Sequence, residues 1–193
     1  EREGVAEIWV MDAAGQNERL LVSDTGRADA VGWSPDGTQL AFSMKLEDDR
    51  EIYVLDLQSS GLDGNPEMSQ LTDNDTNDYA PAWSPDGTQL VYYALQDGDY
   101  EIFVMNADGG ETRQLTQSDG NDWWPGWSPD GANIVFSAMQ DAKYLHDIFV
   151  VSAAGTNRRG LTSDTADNWW PSWRPRSPGS PEGIEPTSTP GTP

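Results

Sequence analysis

The sequence predicts an all-β fold, a β-propeller built from four-stranded antiparallel blades. Two observations predict it: one short phrase returns along the chain, and each copy is followed by the same succession of β-rich runs and turns. The phrase Trp-Ser-Pro-Asp-Gly begins at Trp33, Trp83 and Trp127, and Trp173 opens a fourth, shortened copy. The intervals of 50, 44 and 46 residues are typical of stacked supersecondary units.

Each repeat contains four short strand signals in a fixed order. In the second repeat the inner strand ends at Trp83, and alternating runs follow at residues 89–93 and 101–105. A shorter run ends at Leu115-Thr116. Pro-Asp-Gly and Gly-rich turns separate these runs, which predicts antiparallel hairpins and therefore one propeller blade per repeat.

The repeats predict about three full blades, with partial blades at both ends, in a propeller domain over residues 1–174. The third and fourth strands of a first blade lie at 5–23, full blades at about 28–72, 78–116 and 122–162, and an inner strand at 168–174. Residues 175–193, rich in Pro, Ser and Thr, predict a disordered tail or linker.

On this count the last blade lacks its second strand, which disfavours a self-contained four-blade ring. We expect a part of a larger propeller or self-association that completes the propeller, with a four-blade ring carrying a defective last blade as the alternative.

The repeated motifs resemble the WD-type repeat of TolB-like propellers, found in bacterial TolB and related secreted proteins. The resemblance rests on P-x-W-S-P-D-G, then [DE]-I-[YF]-V-M-[DN]-A-x-G, then L-T, and it covers about residues 5–173. It implies a periplasmic or extracellular bacterial protein. Blades of this family serve as binding modules, as accessory domains of enzymes and as enzymes, so the resemblance implies the fold more strongly than the activity.

Composition narrows the classes of partner and reaction. The 11 Lys and Arg against 33 Asp and Glu give a net charge of −22, which argues against nucleic acid and anionic membranes and favours a basic protein or peptide. No stretch is long and apolar enough for membrane insertion. There is no Cys, the one histidine, His146, is expected in a surface turn, and no G-x-S-x-G motif occurs. We therefore expect no enzymatic activity.

Two sets of repeated residues are expected to be structural. The aspartates of the phrase are expected to accept backbone hydrogen bonds in the turn, and its tryptophans to pack between adjacent blades as core. These residues are Asp36, Asp86 and Asp130, and Trp33, Trp83, Trp127 and Trp173.

The residues that precede the inner strands are the candidate binding site. If these strands begin at one end of the channel, Asp78, Asp122 and Asp167 form an acidic rim, whose oxygen atoms also suit Ca²⁺; apart from calcium, no cofactor is expected. Aromatic residues accompany the rim. By alternation, the side chains four residues before the phrase share its face, and the next ones point to the opposite face. These are Tyr79, Trp123 and Trp169, and then Trp124 and Trp170.

We therefore expect a non-catalytic interaction module that binds a protein or peptide at the channel face. The alternatives are an accessory propeller domain of a prolyl-oligopeptidase-like peptidase or other hydrolase, and a calcium-dependent glycan-binding propeller.

Overall fold

The computed structural model describes residues 7–23, 27–45, 49–59, 66–140, 145–163, 166–174 and 187–190. Its regular elements there are all strands, and no helix among these residues could cross a membrane. In chain order the strands are β1 (Ile8–Val10), β2 (Arg19–Val22), β3 (Arg27–Trp33), β4 (Gln39–Lys45), β5 (Arg50–Asp56), β6 (Glu67–Gln70), β7 (Asp78–Trp83), β8 (Gln89–Gln96), β9 (Asp99–Asn106), β10 (Arg113–Gln114), β11 (Asp122–Trp127), β12 (Asn133–Gln140), β13 (Leu145–Ser152), β14 (Arg159–Gly160), β15 (Asn168–Ser172) and β16 (Thr187–Pro190).

The strands form three four-stranded sheets, each a meander in chain order: β3 to β6, β7 to β10 and β11 to β14. Neighbouring strands run antiparallel, as in β4 with β5 and β12 with β13. Two hairpins, β1–β2 and β15–β16, make separate two-stranded sheets in the part of the chain that the structure describes. The all-β prediction of four-stranded antiparallel blades is confirmed.

The chain divides into two compact units, Glu1–Pro81 and Ala82–Pro193, with the boundary inside β7. In the first unit, hairpin β1–β2 and the sheet β3 to β6 share one apolar core, to which Ile8, Leu21 and Phe42 contribute. In the second unit the buried apolar residues come mainly from β8, β9, β12 and β13, for example Leu90 and Ile134. The second and third strands of each sheet therefore carry most of the core.

Each Trp-Ser-Pro-Asp-Gly phrase ends an inner strand and turns the chain into the next strand. In the second unit, Oδ1 of Asp86 accepts hydrogen bonds from Ser84 Oγ at 2.6 Å and from the backbone N–H of Thr88 at 3.0 Å. Gly87 adopts φ 73°, a conformation that glycine reaches without a steric penalty. The turns at Asp36 and Asp130 repeat this geometry within their own units. These aspartates lie where the sequence placed them, inside the turn.

The tryptophans of the phrase are less buried than predicted. Trp33 exposes 50% of its surface, and Trp83, Trp127 and Trp173 are half-buried, so none of the four is a buried core residue; their packing between adjacent blades stays a prediction. In the second unit the indole N–H groups of Trp127 and Trp173 donate to the carbonyls of Ala82 and Gly126, on the preceding inner strand. Their indole edges thus bridge successive inner strands, while their faces stay partly open to solvent.

A β-bulge interrupts the inner strands β3, β11 and β15. In β11, Trp123 pairs with Ser137 and Gly126 with Val135, so three steps along β11 match two along β12. The same shift separates Asp29 from Gly32 and Trp169 from Ser172. Strict alternation therefore fails: Trp123 shares a face with Gly126, and the prediction that it shares the face of Trp127 is wrong.

The tail contributes one strand. The sequence predicts no regular structure after Arg174, but Thr187–Pro190 pairs antiparallel with β15 as β16. The expectation of a missing second strand is therefore wrong, since this segment supplies it. Proline is tolerated here because β16 is an edge strand of a two-stranded sheet within the described residues. The rest of residues 175–193 lies outside the described chain.

Candidate functional site

The start of each third strand is tied to the segment that follows the fourth strand. In the second unit, Glu101 accepts hydrogen bonds from Thr116 Oγ1 at 2.6 Å and from the backbone N–H of Ser118 at 2.8 Å. Thr116 Oγ1 in turn accepts the backbone N–H of Ile102 at 2.9 Å. Glu51 and Asp147 repeat this pattern with Thr72 and Thr162. The network fixes the loop that leads into the next inner strand.

Asp122 lies fully buried beside this network rather than on an open rim. Its Oδ1 lies 3.2 Å from Nη2 of Arg158, whose guanidinium also covers the ring of Phe149 at 4.4 Å. Burial raises the pKa of Asp122 to about 7; the Arg158 charge opposes this rise, and the Glu101 charge adds to it. Asp122 thus titrates near neutrality.

In the first unit, Asp78 occupies the corresponding position and is equally buried. Its Oδ2 accepts a hydrogen bond from Asn74 Nδ2 at 2.9 Å, while its Oδ1 has no hydrogen-bond partner among the described residues. Burial raises the pKa of Asp78 to about 7, and the Glu51 carboxylate adds to the rise. Asn168 holds this position in the last repeat.

Asp167 stands directly before Asn168 and is therefore not equivalent to Asp78 and Asp122. The residues equivalent to Asp167 in the second and third repeats are Asn77 and Asn121. Oδ1 of Asp167 accepts the backbone N–H of His146 at 2.8 Å and lies 2.8 Å from His146 Nδ1. Burial raises its pKa, but hydrogen bonds from Trp169 and His146 outweigh that effect and hold the pKa below its usual value. The predicted rim is therefore wrong in its register: Asp122 is buried, and Asp167 pairs with a histidine.

His146 is buried in β13 and not in a surface turn as expected. Its ring contacts the indoles of both Trp123 and Trp169, with centroids 5.1 Å and 3.3 Å away. The two indoles are themselves nearly parallel, at 5.8 Å and 19°. The Asp167 hydrogen bonds explain the burial, because they fix both the backbone and the ring of His146.

Seven rings join into one aromatic cluster in the second unit. Tyr100 contacts Trp123 at 6.2 Å, and Tyr93 contacts both Tyr100 at 5.6 Å and Trp124 at 5.8 Å. Trp124 meets Trp170 edge to face at 6.4 Å. The aromatic cluster consists of Tyr93, Tyr100, Trp123, Trp124, His146, Trp169 and Trp170. Its members come from five strands and form a continuous aromatic surface at the start of the inner strands.

Trp124 and Trp170 are the outward side of the cluster. They expose 36% and 64% of their surfaces, and they have φ values of 54° and 49°. The same bulge position is Ala30 in the first repeat and Ala80 in the second, also at positive φ. A bulky residue in this region is strained by roughly 1 kcal/mol or more, and such strain concentrates at functional positions. The bulge belongs to the fold, since alanine occupies it in the first two repeats, and tryptophan in the later repeats adds exposed aromatic surface there.

In the first unit, charged residues occupy positions that belong to the aromatic cluster in the second unit. Arg50 corresponds to Tyr100, and Asp29 corresponds to Trp123. There the guanidinium of Arg50 lies 2.9 Å from Asp29 Oδ1 and 5.3 Å from the centre of the Tyr79 ring. Arg50, Tyr100 and His146 are equivalent residues, each directly before the acidic residue of the third strand. Tyr79 therefore has a cation–π partner within the first unit.

The described loops around the cluster are acidic. Asp97 and Asp119 are exposed, and Asp99 and Asp167 are half-buried. Residues 97–100, 115–124, 163 and 166–170 contain no Lys or Arg. A cationic group that approaches this end of the second unit therefore meets carboxylates and indole rings.

Sequence reasoning identified the paired tryptophans but missed Tyr93, Tyr100 and His146. The signal available was the residue before each acidic start of a third strand, which is aromatic or cationic in all three full repeats. The predicted calcium ligands Asp78, Asp122 and Asp167 occupy different environments. No three His, Cys, Asp or Glu side chains are grouped as a metal site among the residues that the structure describes, so calcium binding stays a prediction.

Solved structures of other proteins resemble most of the length of this chain. The chain aligns with TolB from Acinetobacter baumannii at a TM-score of 0.72 and 19% identity, over 94% of its own length and 45% of that protein. It aligns with a putative TolB from Agrobacterium tumefaciens at 0.61 and 22%, covering 87% and 73%. An oligogalacturonate lyase from Vibrio parahaemolyticus gives 0.63 and 14%, covering 90% and 51%.

These likenesses establish the fold, and the chain spans less than half the length of the Acinetobacter protein. No curated protein sequence matches the chain. The family model described as the TolB beta propeller domain matches residues 2–179, nearly the whole sequence. Together with the four-stranded sheets and the repeated turns, this match shows that the chain belongs to the TolB β-propeller domain family.

Proposed function

We propose that the chain is a non-catalytic β-propeller interaction module that binds a basic protein or peptide segment at the aromatic cluster. The observation that carries this proposal is the exposed pair Trp124 and Trp170, held on strained bulge positions within an acidic surface. Tryptophan is among the residues that contribute most binding energy at protein interfaces.

The chemistry of the cluster favours a cationic segment. Lys and Arg groups are attracted to indole faces within about 6 Å, and Trp is the best of the aromatic acceptors. The carboxylates of Asp97, Asp99 and Asp119 lie in the described loops of the same unit, and the whole chain carries a net charge of −22. This field accelerates the approach of basic partners and repels acidic ones.

The arrangement around His146 supports a role without catalysis. Asp167 and His146 make a carboxylate–imidazole pair, the inner half of a Ser-His-Asp triad. However, His146 Nε2 is buried and has no hydrogen-bond partner among the described residues, so no hydroxyl nucleophile is in place there. The histidine instead packs against two indoles that stack on each other.

We propose further that the protein works outside the cytoplasm of a bacterium, in the periplasm or the extracellular space. Membership of the TolB β-propeller domain family supports this location.

Self-association is proposed as a second contact of the molecule. Hairpins β1–β2 and β15–β16 each have two strands, while the other sheets of the described chain have four, and strand edges recruit further strands. We expect light scattering to show a concentration-dependent dimer. A monomer at every concentration, with one cooperative melting transition, would contradict this expectation.

The binding proposal is tested with three peptide sets of equal length, one rich in Lys and Arg, one neutral and one rich in Asp and Glu. The protein is expected to bind the basic set, with affinity that falls as salt is added. The double variant Trp124→Ala plus Trp170→Ala is expected to bind at least about 30-fold more weakly, since the loss of even one interface tryptophan that contributes roughly 2 kcal/mol has this effect. Its melting temperature is expected to change little, because both side chains are exposed.

The matched control is Trp9→Ala, which removes an equally exposed tryptophan from the first unit. It is expected to leave peptide binding unchanged. Equal binding by the double variant, or a preference for neutral or acidic peptides, would refute the proposal. Repeating the titration with calcium and with a chelator tests the calcium prediction separately.

A further inference from the structure

The second unit has a cavity at the other end of the inner strands, remote from the start of β11. It lies between two consecutive Trp-Ser-Pro-Asp-Gly turns and holds about 250 Å³. The residues that define its chemistry are Pro85, Asp86, Gln89, Trp127, Pro129 and Asp130. Nothing in the proposed peptide site uses these residues.

The walls of this cavity are fixed before any ligand arrives. Asp86 Oδ1 accepts three hydrogen bonds, from Ser84 Oγ at 2.6 Å, Thr88 N at 3.0 Å and Thr88 Oγ1 at 2.8 Å. The indole N–H of Trp127 donates to the Ala82 carbonyl at 3.2 Å, which sets the plane of the ring. A ligand therefore loses little affinity to ordering of the site.

The lining combines apolar rings with negative charge. The indole of Trp127 and the rings of Pro85 and Pro129 supply apolar surface, and Asp86 and Asp130 supply carboxylates from neighbouring turns. The hydrogen bond from Ser84 lowers the pKa of Asp86, which keeps this carboxylate ionised at neutral pH. The three turn bonds go to Oδ1, so a contact of a ligand with Oδ2 would leave these bonds intact. Among the residues that the structure describes, no Lys or Arg lines the cavity.

We propose that this cavity binds one organic cation, a guanidinium or alkylammonium group, stacked on Trp127 between Asp86 and Asp130. A cation gains both the attraction of the indole face and the field of two carboxylates. The volume is below the roughly 300–1,000 Å³ of pockets for drug-sized molecules, so it fits the end of one side chain or a small molecule of that size. The site is separate from the aromatic cluster and does not depend on it.

The experiment follows the indole N–H signal of Trp127 by NMR. Four probes are titrated: N-acetyl-arginine amide, tetramethylammonium, the tripeptide Gly-Arg-Gly, and N-acetyl-leucine amide as the neutral control. We expect saturable shifts with the three cations, with dissociation constants in the millimolar range, and none with the leucine derivative. Tighter binding of the tripeptide than of the arginine derivative assigns the cation to a protein partner, and equal or weaker binding assigns it to a small molecule.

The decisive variants are Asp86→Asn and Asp36→Asn. Both keep an oxygen that can accept the turn hydrogen bonds, but Asp36 lies in the equivalent turn of the first unit and does not line this cavity. We expect Asp86→Asn to weaken cation binding about threefold, as for the loss of one charge contact between solvent-exposed groups, and Asp36→Asn to leave it unchanged. The Trp124→Ala plus Trp170→Ala protein should bind these probes normally.

Three outcomes would overturn the proposal. The first is a Trp127 signal that does not shift with any cation, and the second is equal binding of the leucine derivative. The third is an equal loss of affinity in the Asp86 and Asp36 variants. None of these outcomes bears on the proposed peptide site, because the variants that test that site change other residues.

Discussion

Arg158→Met is expected to lower the free energy of unfolding by about 2–3 kcal/mol near pH 8.5 and by less than about 1 kcal/mol near pH 5. Asp122 is fully buried and its only cationic partner among the described residues is Arg158. Methionine keeps an apolar side chain against Phe149 but removes the charge that opposes the rise in the pKa of Asp122. The variant therefore leaves a buried carboxylate without compensation.

The pH dependence follows from the direction of the Asp122 shift. The pKa of Asp122 is raised from 3.8 to about 7 in the folded protein, so its contribution to stability is fully present below 3.8 and is lost as pH rises through about 7. In the variant the folded pKa rises further. Below about pH 6 both proteins carry a neutral Asp122, and only the contact of Arg158 with the Phe149 ring is lost.

Urea unfolding at the two pH values measures both effects. Arg159→Met is the control, because this neighbouring arginine is exposed and its loss changes the net charge equally. We expect the control to shift stability by less than about 0.5 kcal/mol at either pH. An equal loss in Arg158→Met at both pH values would show that packing, not the charge on Asp122, sets the effect.

Asp78→Asn is expected to stabilise the protein by about 2–3 kcal/mol near pH 8.5 and to have little effect near pH 4. Burial raises the pKa of Asp78 to about 7, so the wild-type protein loses stability as pH rises between 3.8 and that value. Asparagine has no such titration. Its amide oxygen can accept the hydrogen bond from Asn74, and its amide N–H can donate to Glu51.

The last repeat supports this expectation, because Asn168 occupies the equivalent position and is buried there. Thermal unfolding of the two proteins across this pH range provides the measurement. Asp75→Asn serves as the control, since it removes one exposed carboxylate of the same loop. A destabilised Asp78→Asn protein at every pH would mean that the ionised carboxylate makes a bond that the amide cannot replace.

The sequence predicted the repeats, the sheets and the turns well, because each depends on local chemistry. The aspartates of the phrase hold their turns, and β1 to β15 follow the predicted order of strands, while β16 lies outside the predicted repeats. The orientation of the inner-strand side chains could not be predicted by alternation, because a bulge is a backbone irregularity without a residue signature: Ala30, Ala80, Trp124 and Trp170 all occupy it. One inserted residue reverses every face on one side of it.

The site was predicted in part, for a similar reason. Trp124 and Trp170 were identified because two tryptophans stand where packing needs one. The prediction of an acidic rim failed because counting carboxylates does not distinguish Asp122 from Asp167. Asp122 lies beside Arg158, which directly precedes β14, and Asp167 lies beside His146. Burial of a charged residue depends on partners far away in sequence, and spacing within one repeat does not contain that information.

The most direct test of the peptide site is an NMR titration that resolves the indole N–H signals of all nine tryptophans. A Lys- and Arg-rich peptide is added, and the account predicts that the signals of Trp124 and Trp170 shift together with one dissociation constant. The signals of Trp9 and Trp33, which are also exposed, should stay in place. Shifts at Trp9 or Trp33 without shifts at Trp124 and Trp170 would contradict the account and move the binding surface to another part of the propeller.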